Sequence, residues 1–173
     1  MQDNEVIRIL QNQLNFTEKN ISDIKKFIDE LLRANKRHNF ISKSTENLIW
    51  QRHILDSAQL VKFINFSKAS LSDLGSGAGF PGLILALFNN NIDFHVKLFE
   101  KSPVKRAFLR HISDRLSLKI EILGNVYESS ISTDYIVCRA FKKLDAIIQV
   151  SREIAQKSHK LIILKGQNAQ KDL

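Results

Sequence analysis

From residue 71 onward, short apolar runs alternate with segments of helical periodicity. The runs predict strands at 71–74, 94–99, 120–123, 135–138 and 161–164. The intervening segments predict helices at about 81–90, 103–116 and 141–157. Because strands that alternate with helices are joined by right-handed crossovers, this order predicts an α/β fold with an open, mostly parallel sheet and flanking helices.

The chain before this alternation has a different pattern, with helical periodicity and neither glycine nor proline. One amphipathic helix is predicted after Thr17 as its N-cap, a shorter one at 6–14, and another that begins near Thr45. We therefore expect an N-terminal helical cap at 1–65 that packs on a sheet-containing core at 66–173.

Charge and composition narrow the functional classes. The 173 residues include 26 lysines and arginines against 18 aspartates and glutamates, which gives a formal net charge of +8. This excess favours a polyanionic partner, with nucleic acid as the leading candidate. The single cysteine, Cys138, excludes an internal disulfide and a cysteine-cluster zinc site, and His111 lacks metal-ligand spacing, so no metal is expected. A polar N-terminus and the lack of a membrane-length apolar run predict a cytoplasmic protein without membrane contact.

A glycine-rich segment, DLGSGAGFPG at 73–82, follows the first predicted strand and leads into the first helix of the core. Gly75, Gly77 and Gly79 permit a tight turn and a close approach of a ligand to the backbone, while the helix start offers N–H groups. Ligands of open α/β sheets bind outside the carboxyl ends of the strands. The segment therefore predicts a ligand site at this edge of the sheet.

Two cofactors fit such a segment, because its spaced glycines also satisfy the dinucleotide-binding pattern. Asp73 favours S-adenosylmethionine, since its charge would repel a phosphate but could face an ammonium group or order nearby loop amides. Glu100, at the end of the second predicted strand, can accept both hydroxyls of a ribose from either cofactor. This chemistry favours the methyl donor and leaves a nicotinamide dinucleotide open.

Five motifs then occur in order: RHILDS at 52–57, DLGSGAGFPG at 73–82, KRAFL at 105–109, RAF at 139–141 and LKG at 164–166. In this combination, over about residues 30–167, the chain resembles the bacterial small-subunit ribosomal RNA guanine-N7 methyltransferases, also called glucose-inhibited division protein B. The resemblance implies a class I S-adenosylmethionine-dependent methyltransferase fold with an N-terminal helical cap, and 66–173 as its cofactor-binding core. Family members continue through two further strands, which this chain is expected to lack.

The loop chemistry and the resemblance together give the expected cofactor-binding residues: Asp73, Gly75, Gly77, Gly79, Phe80, Glu100, Val126, Tyr127 and Arg139. By resemblance, Val126 and Tyr127 meet the adenosine end, and Arg139 falls on the family's binding arginine. The family usually has an acidic residue where this chain has Tyr127, and here the acid, Glu128, comes one place later.

The resemblance implies 16S ribosomal RNA as the partner, within the small subunit or an assembly intermediate, and we expect a monomeric enzyme. Basic residues are the expected RNA contacts: Lys101, Lys105, Arg106, Arg110, Arg37, Arg52 and Lys165. Phe40, Trp50 and Phe80 could stack on a splayed base, although the first two are more often core residues. His53 is expected to be structural, with Arg52 and Asp56 as candidate ion-pair partners.

The implied reaction moves a methyl group from S-adenosylmethionine to N7 of a guanine. No catalytic residue is expected, because N7 has an exposed lone pair and no proton must leave before attack. The protein would chiefly hold the reacting atoms in line. A nicotinamide-dependent oxidoreductase and a non-catalytic RNA-binding protein remain the alternatives.

Overall fold

The computed structural model describes residues 2–67, 70–139 and 143–165. A five-stranded parallel sheet with strand order β3-β2-β1-β4-β5 lies at its centre. The strands are β1 (Ser70–Leu74), β2 (His95–Phe99), β3 (Ile120–Leu123), β4 (Tyr135–Arg139) and β5 (Lys160–Leu164). All five predicted strands are present, and their bounds differ from the prediction by at most one residue.

Helices connect the strands and cover the sheet. They are α5 (Gly82–Phe88), α6 (Pro103–Arg115) and α7 (Leu144–Ile154). The helix predicted at 141–157 is shorter than expected, and residues 140–142 lie outside the described part of the chain. None of the described helices has the length and apolarity that crossing a bilayer requires.

Helices also form the cap, which contains α1 (Asp3–Leu14), α2 (Glu18–Asn35), α3 (Lys43–Glu46), a π-helical turn (Trp50–Leu55), α4 (Asp56–Ala58) and a 3₁₀ turn (Gln59–Phe63). The predicted N-cap is confirmed, because the Thr17 hydroxyl accepts from the Asn20 amide while Asn20 Oδ1 accepts from the Thr17 amide. The helix expected from near Thr45 is instead divided into short turns of three kinds.

One hydrophobic cluster runs from the cap into the sheet. The Phe27 ring of α2 lies 5.5 Å from the Phe80 ring and 6.3 Å from the Phe108 ring of α6. Phe40 packs 4.8 Å from Phe108, and Trp50 is buried as well. Phe40 and Trp50 are therefore core residues.

Polar contacts add to this attachment of the cap. The Asn20 side-chain amide donates to the Leu87 carbonyl at the end of α5, at 2.6 Å. On α2, the Glu30 carboxylate lies 3.3 Å from Arg115 Nε and 3.4 Å from His111 Nε2, both on α6. The cap is thus fixed to two helices that flank the sheet.

Candidate active site

The glycine loop, residues 75–81, joins the end of β1 to α5. Gly75, Gly77 and Gly79 all have positive φ, of 74°, 59° and 111°. A side chain at Gly79 would also collide with the core, since an added Cβ would lie 2.9 Å from Leu83 Cβ. The backbone path of this loop therefore requires glycine at these positions.

Most amides of the glycine loop are already bonded within the protein. The Gly75 and Ser76 amides donate to the Phe99 carbonyl at 2.9 and 3.0 Å. The Gly79 and Phe80 amides donate to the Ser76 carbonyl at 2.7 and 3.0 Å. The loop consequently holds its shape without a ligand and does not offer a row of open N–H groups.

Two carboxylates accept further amides at the loop. Asp73 Oδ2 accepts from the Gly82 amide at 2.9 Å, and Glu100 Oε2 accepts from the Gly77 amide at 2.9 Å. Glu100 Oε1 also accepts from the Ser102 amide, at 2.7 Å. A pyrophosphate here would meet negative charge and occupied donors, so the geometry favours a cationic nucleoside over a dinucleotide.

Asp73 lies wholly beneath the loop, with no solvent-exposed surface. Burial raises the pKa of its carboxyl to about 7, although the hydrogen bond from Gly82 acts in the opposite direction. Among the described residues, its Oδ1 atom has no hydrogen-bond partner. Of the two roles considered for Asp73, the structure shows the ordering of loop amides, and burial keeps the carboxyl from facing an ammonium group directly.

Phe80 lies inside the core rather than at the site surface, with 2% of its area exposed. Its ring stacks on His53 at 4.9 Å, and the Arg139 guanidinium lies 5.0 Å from the ring centroid. Arg139 Nη1 also donates to the Arg52 carbonyl at 3.1 Å. Because the ring is enclosed, the expectation that Phe80 stacks on a splayed base is wrong, and any cofactor contact must come from its backbone.

The loop after β3 contains the two residues that the resemblance assigned to the adenosine end. The Val126 side chain is buried in a second core cluster, whereas Tyr127 is 47% exposed. Asn125 fixes the loop, because its Oδ1 accepts from the Tyr127 amide at 3.3 Å and its Nδ2 donates to Glu128 Oε1 at 3.1 Å.

The strand order brings the expected cofactor residues to one edge. Since β1 pairs with β2 and β4, and β2 pairs with β3, the residues that follow these four parallel strands meet at their carboxyl ends. The chain order reverses between β1 and β4, which is the switch point where such sheets bind ligands.

The expected RNA contacts divide into two groups. Lys101, Arg110, Arg37 and Arg52 are exposed, whereas Lys105, Arg106 and Lys165 are half-buried. Arg106 Nη1 donates to the carbonyls of Glu100 and Lys101 at 2.9 and 2.7 Å. Arg106 Nη1 thus holds the turn after β2, while the other guanidinium nitrogens have further donors, and the expected RNA contact of Arg106 stays a prediction.

A cavity of about 530 Å³ lies between the cap and the carboxyl ends of β4 and β5, and Arg139 and Lys165 are part of its lining. Its cap side includes His53, whose Nε2 is 2.9 Å from Thr45 Oγ1. Burial lowers the pKa of His53 to about 4, so the ring is neutral at neutral pH. This agrees with a structural role.

The ion pairs considered for His53 are not found, since among the described residues neither Arg52 nor Asp56 forms one. Sequence reasoning also missed that Asp56 lines the cavity. The only available signal was its position within the RHILDS motif.

Comparison with known proteins decides the family. A family model described as rRNA small subunit methyltransferase G matches residues 20–173. The chain belongs to this family. A protein named ribosomal RNA small subunit methyltransferase G from Pelagibacter ubique is 34% identical over 171 residues, which cover 95% of this chain and 80% of that protein. One of the same name from Rickettsia akari is 38% identical over 135 residues, or 78% of this chain and 69% of that protein.

Solved structures agree on the fold. Coclaurine N-methyltransferase bound to N-methylheliamine and SAH superposes with a TM-score of 0.53 at 16% identity, covering 93% of this chain and 58% of that chain. TehB from Haemophilus influenzae gives 0.52 at 21% identity, covering 69% of this chain and 43% of that chain. The class I methyltransferase fold expected from the sequence is thus confirmed. Family membership also confirms the expected S-adenosylmethionine-dependent rRNA methyltransferase, and decides against the nicotinamide alternative.

Proposed function

We propose that this chain transfers a methyl group from S-adenosylmethionine to N7 of a guanine in 16S ribosomal RNA, acting as a monomer in the cytoplasm on the small subunit or an assembly intermediate. The observation that carries the proposal is the glycine loop at the switch point, held by two carboxylates, in a chain of the rRNA methyltransferase G family. Residues 1–65 serve as the cap and 66–173 as the cofactor-binding core.

The residues at the sheet edge fit the methyl donor. A carboxylate has about four lone-pair sites, and the bonds from Gly77 and Ser102 leave Glu100 able to accept ribose hydroxyls. The bare backbone at Gly75, Gly77 and Gly79 allows the nucleoside to approach closely. Asp73 contributes by fixing the loop, and Phe80 by anchoring it in the core.

Other residues complete the proposed cofactor site. Tyr127 is exposed beside the end of β3 and offers a face to the adenine, while Val126 and Asn125 shape the loop beneath it. Arg139, at the end of β4, borders the side of the site where the cap lies. These assignments are the ones that a structure of the complex would test first.

Methyl transfer to N7 requires this chain chiefly to position the reacting atoms. When bound, S-adenosylmethionine supplies a methyl group on a sulfonium, so that the N7–carbon bond forms as the carbon–sulfur bond breaks and its electron pair stays on sulfur. Because N7 attacks through a lone pair, no side chain has to remove a proton. The residues of the site therefore act by holding the base against the loop and excluding water.

Basic residues that are exposed or half-buried are the proposed phosphate contacts: Lys101, Lys105, Arg110, Arg37, Arg52 and Lys165. A second concavity, of about 540 Å³, includes Arg33, Lys36 and Arg37 of the cap in its lining. Contacts of this kind position RNA without reading its sequence, and weaken with salt. Arg106 is a further proposed contact, and its Nη1 also holds the turn beside Lys101.

The test is methylation of small ribosomal subunits that lack the modification. Wild-type protein with methyl-labelled S-adenosylmethionine should give labelled 7-methylguanosine after nuclease digestion, detected by mass spectrometry. The Gly77→Val variant is the matched control, because valine cannot easily adopt the positive φ at that position, and it should give none. Label on another guanine atom, or no label in the RNA, would contradict the proposed function.

A further inference from the structure

The cavity between cap and sheet has the size of a ligand site and lies beside the glycine loop. Its volume of about 530 Å³ falls within the range of roughly 300–1,000 Å³ typical of small-molecule pockets. The cap contributes Thr45, Arg52 and Asp56 to its wall, and the ends of β4 and β5 contribute Arg139 and Leu164.

Arg139 connects this cavity to the glycine loop. Its guanidinium lies 5.0 Å from the ring centroid of Phe80, which belongs to the loop, and its Nη1 donates to the Arg52 carbonyl on the opposite wall. Two lining residues of the cavity, His53 and Arg139, thus contact the side chain that anchors the glycine loop in the core.

The wall of the cavity contains the carboxyl group of Asp56. In the described part of the chain, no hydrogen bond or ion pair engages the side chain of Asp56. Burial raises the pKa of Asp56, and the positive charges of Arg52 and Arg139 partly offset this. Asp56 directly follows the π-helical turn Trp50–Leu55, and such rare turns are frequent at functional sites.

A carboxylate at this place suits guanine in particular. Among the four standard RNA bases, only guanine presents two adjacent N–H donors, N1–H and N2–H, on its Watson–Crick edge. A carboxylate offers two acceptor oxygens and can take both bonds at once. N7 lies on another edge of the purine and stays free when the Watson–Crick edge is bound.

We infer that the target guanine is held in this cavity with N1–H and N2–H donating to the Asp56 carboxylate. The inference rests on the proposed function and adds the residue that recognises the base. With the Watson–Crick edge against the cap, N7 faces the glycine loop. The charges of Arg52 and Arg139 oppose the effect of burial on the Asp56 carboxyl, and both side chains line the same cavity, where they would neutralise phosphates that flank a flipped nucleotide.

The test combines a protein variant with a base analogue. Asp56→Asn keeps the shape of the side chain but replaces one acceptor with a donor, so methylation of small subunits should fall about 100-fold in kcat/KM. Binding of S-adenosylhomocysteine should stay within about twofold, since Asp56 does not touch the glycine loop. Asp93→Asn, at an exposed site on the loop before β2, is the matched control and should keep full activity.

The analogue is inosine, which retains N1–H and N7 but lacks the N2 amino group. On subunits reconstituted with inosine at the target position, kcat/KM of the wild-type protein should be about tenfold lower than on guanosine. For Asp56→Asn, kcat/KM on inosine should be almost the same as its value on guanosine. The wild-type comparison needs no variant, so it remains decisive if Asp56→Asn does not fold.

The outcomes separate the two proposals. If kcat/KM falls equally on inosine in both proteins, or does not fall in the wild type, the role of Asp56 is overturned. Formation of 7-methylguanosine by the wild type would still support the proposed function. Full activity of Asp56→Asn on guanosine also overturns the inference. If the wild type makes no 7-methylguanosine, the proposed function fails and the inference fails with it.

Discussion

The glycine loop and the cap cavity lie side by side, yet they are built in opposite ways. In the loop, the Gly82 and Gly77 amides donate to the carboxylates of Asp73 and Glu100, and the Gly75, Ser76, Gly79 and Phe80 amides donate to backbone carbonyls. In the cavity, side chains form the wall, and the Asp56 carboxyl has no partner in the described part of the chain. The cofactor is the same in every turnover, so a preformed backbone can bind it. A base taken from a folded RNA needs side chains whose hydrogen-bonding groups are not already bonded within the protein.

The largest effect that would sharpen this contrast is expected from Gly82→Ala. An added Cβ would lie 2.6 Å from Asp73 Oδ2 and 2.7 Å from Asp73 Cβ, so the loop must shift. We expect a loss of about 3 kcal/mol in the free energy of unfolding, with at least tenfold weaker binding of S-adenosylhomocysteine by calorimetry. Gly124→Ala, where nothing lies within 4 Å of the added carbon, should cost less than about 0.5 kcal/mol. Equal losses in the two variants would show that the loop is not preformed.

A smaller effect is expected from Glu100→Gln, which replaces one of the two acceptors for the Gly77 and Ser102 amides with a donor. The free energy of unfolding should fall by about 2 kcal/mol in urea titrations, and binding of S-adenosylhomocysteine should weaken about tenfold. The control is Glu121→Gln on β3, whose side chain is exposed and pairs at the surface with Lys97. Unchanged affinity of Glu100→Gln for S-adenosylhomocysteine would contradict the placement of Glu100 in the cofactor site.

The smallest effect concerns the cavity wall and depends on pH. The folded protein holds the pKa of His53 at about 4, below its ordinary value of 6.5, so the unfolded chain takes up a proton first as pH falls. Stability should therefore decline by about 1.5 kcal/mol between pH 6.5 and 5, and His53→Gln should lack this part of the decline. His95→Gln, at an exposed site on β2, should keep the wild-type profile. If the pH profiles of wild type and His53→Gln run parallel, the folded protein does not lower the pKa of His53.

The sheet and the loop could be predicted from sequence because their signals are local. Short apolar runs gave strand bounds within one residue, and alternate glycines marked the positive φ values that the backbone requires. The division of the helix near Thr45 escaped prediction, since apolar spacing does not distinguish α, π and 3₁₀ turns. The bonds from Arg106 to two backbone carbonyls also escaped prediction, because backbone groups leave no trace in a pattern of residue types.

The cavity escaped prediction for a different reason. Asp56 and Arg139 are far apart in sequence and become neighbours only when the cap packs against β4 and β5. This proximity depends on tertiary structure, so the motifs identify the two residues but do not show that they line one cavity. Phe80 shows the same limit, because a residue beside the glycines proved to be an anchor in the core.

The hydrophobic cluster that continues from the cap into the sheet has a consequence for how mutations act. Phe27 packs against both Phe80, which anchors the glycine loop, and Phe108, so a substitution there would disturb the packing of the cap and of the loop together. Recognition of the base and cooperative folding of the cap and the sheet therefore depend on the same interior residues.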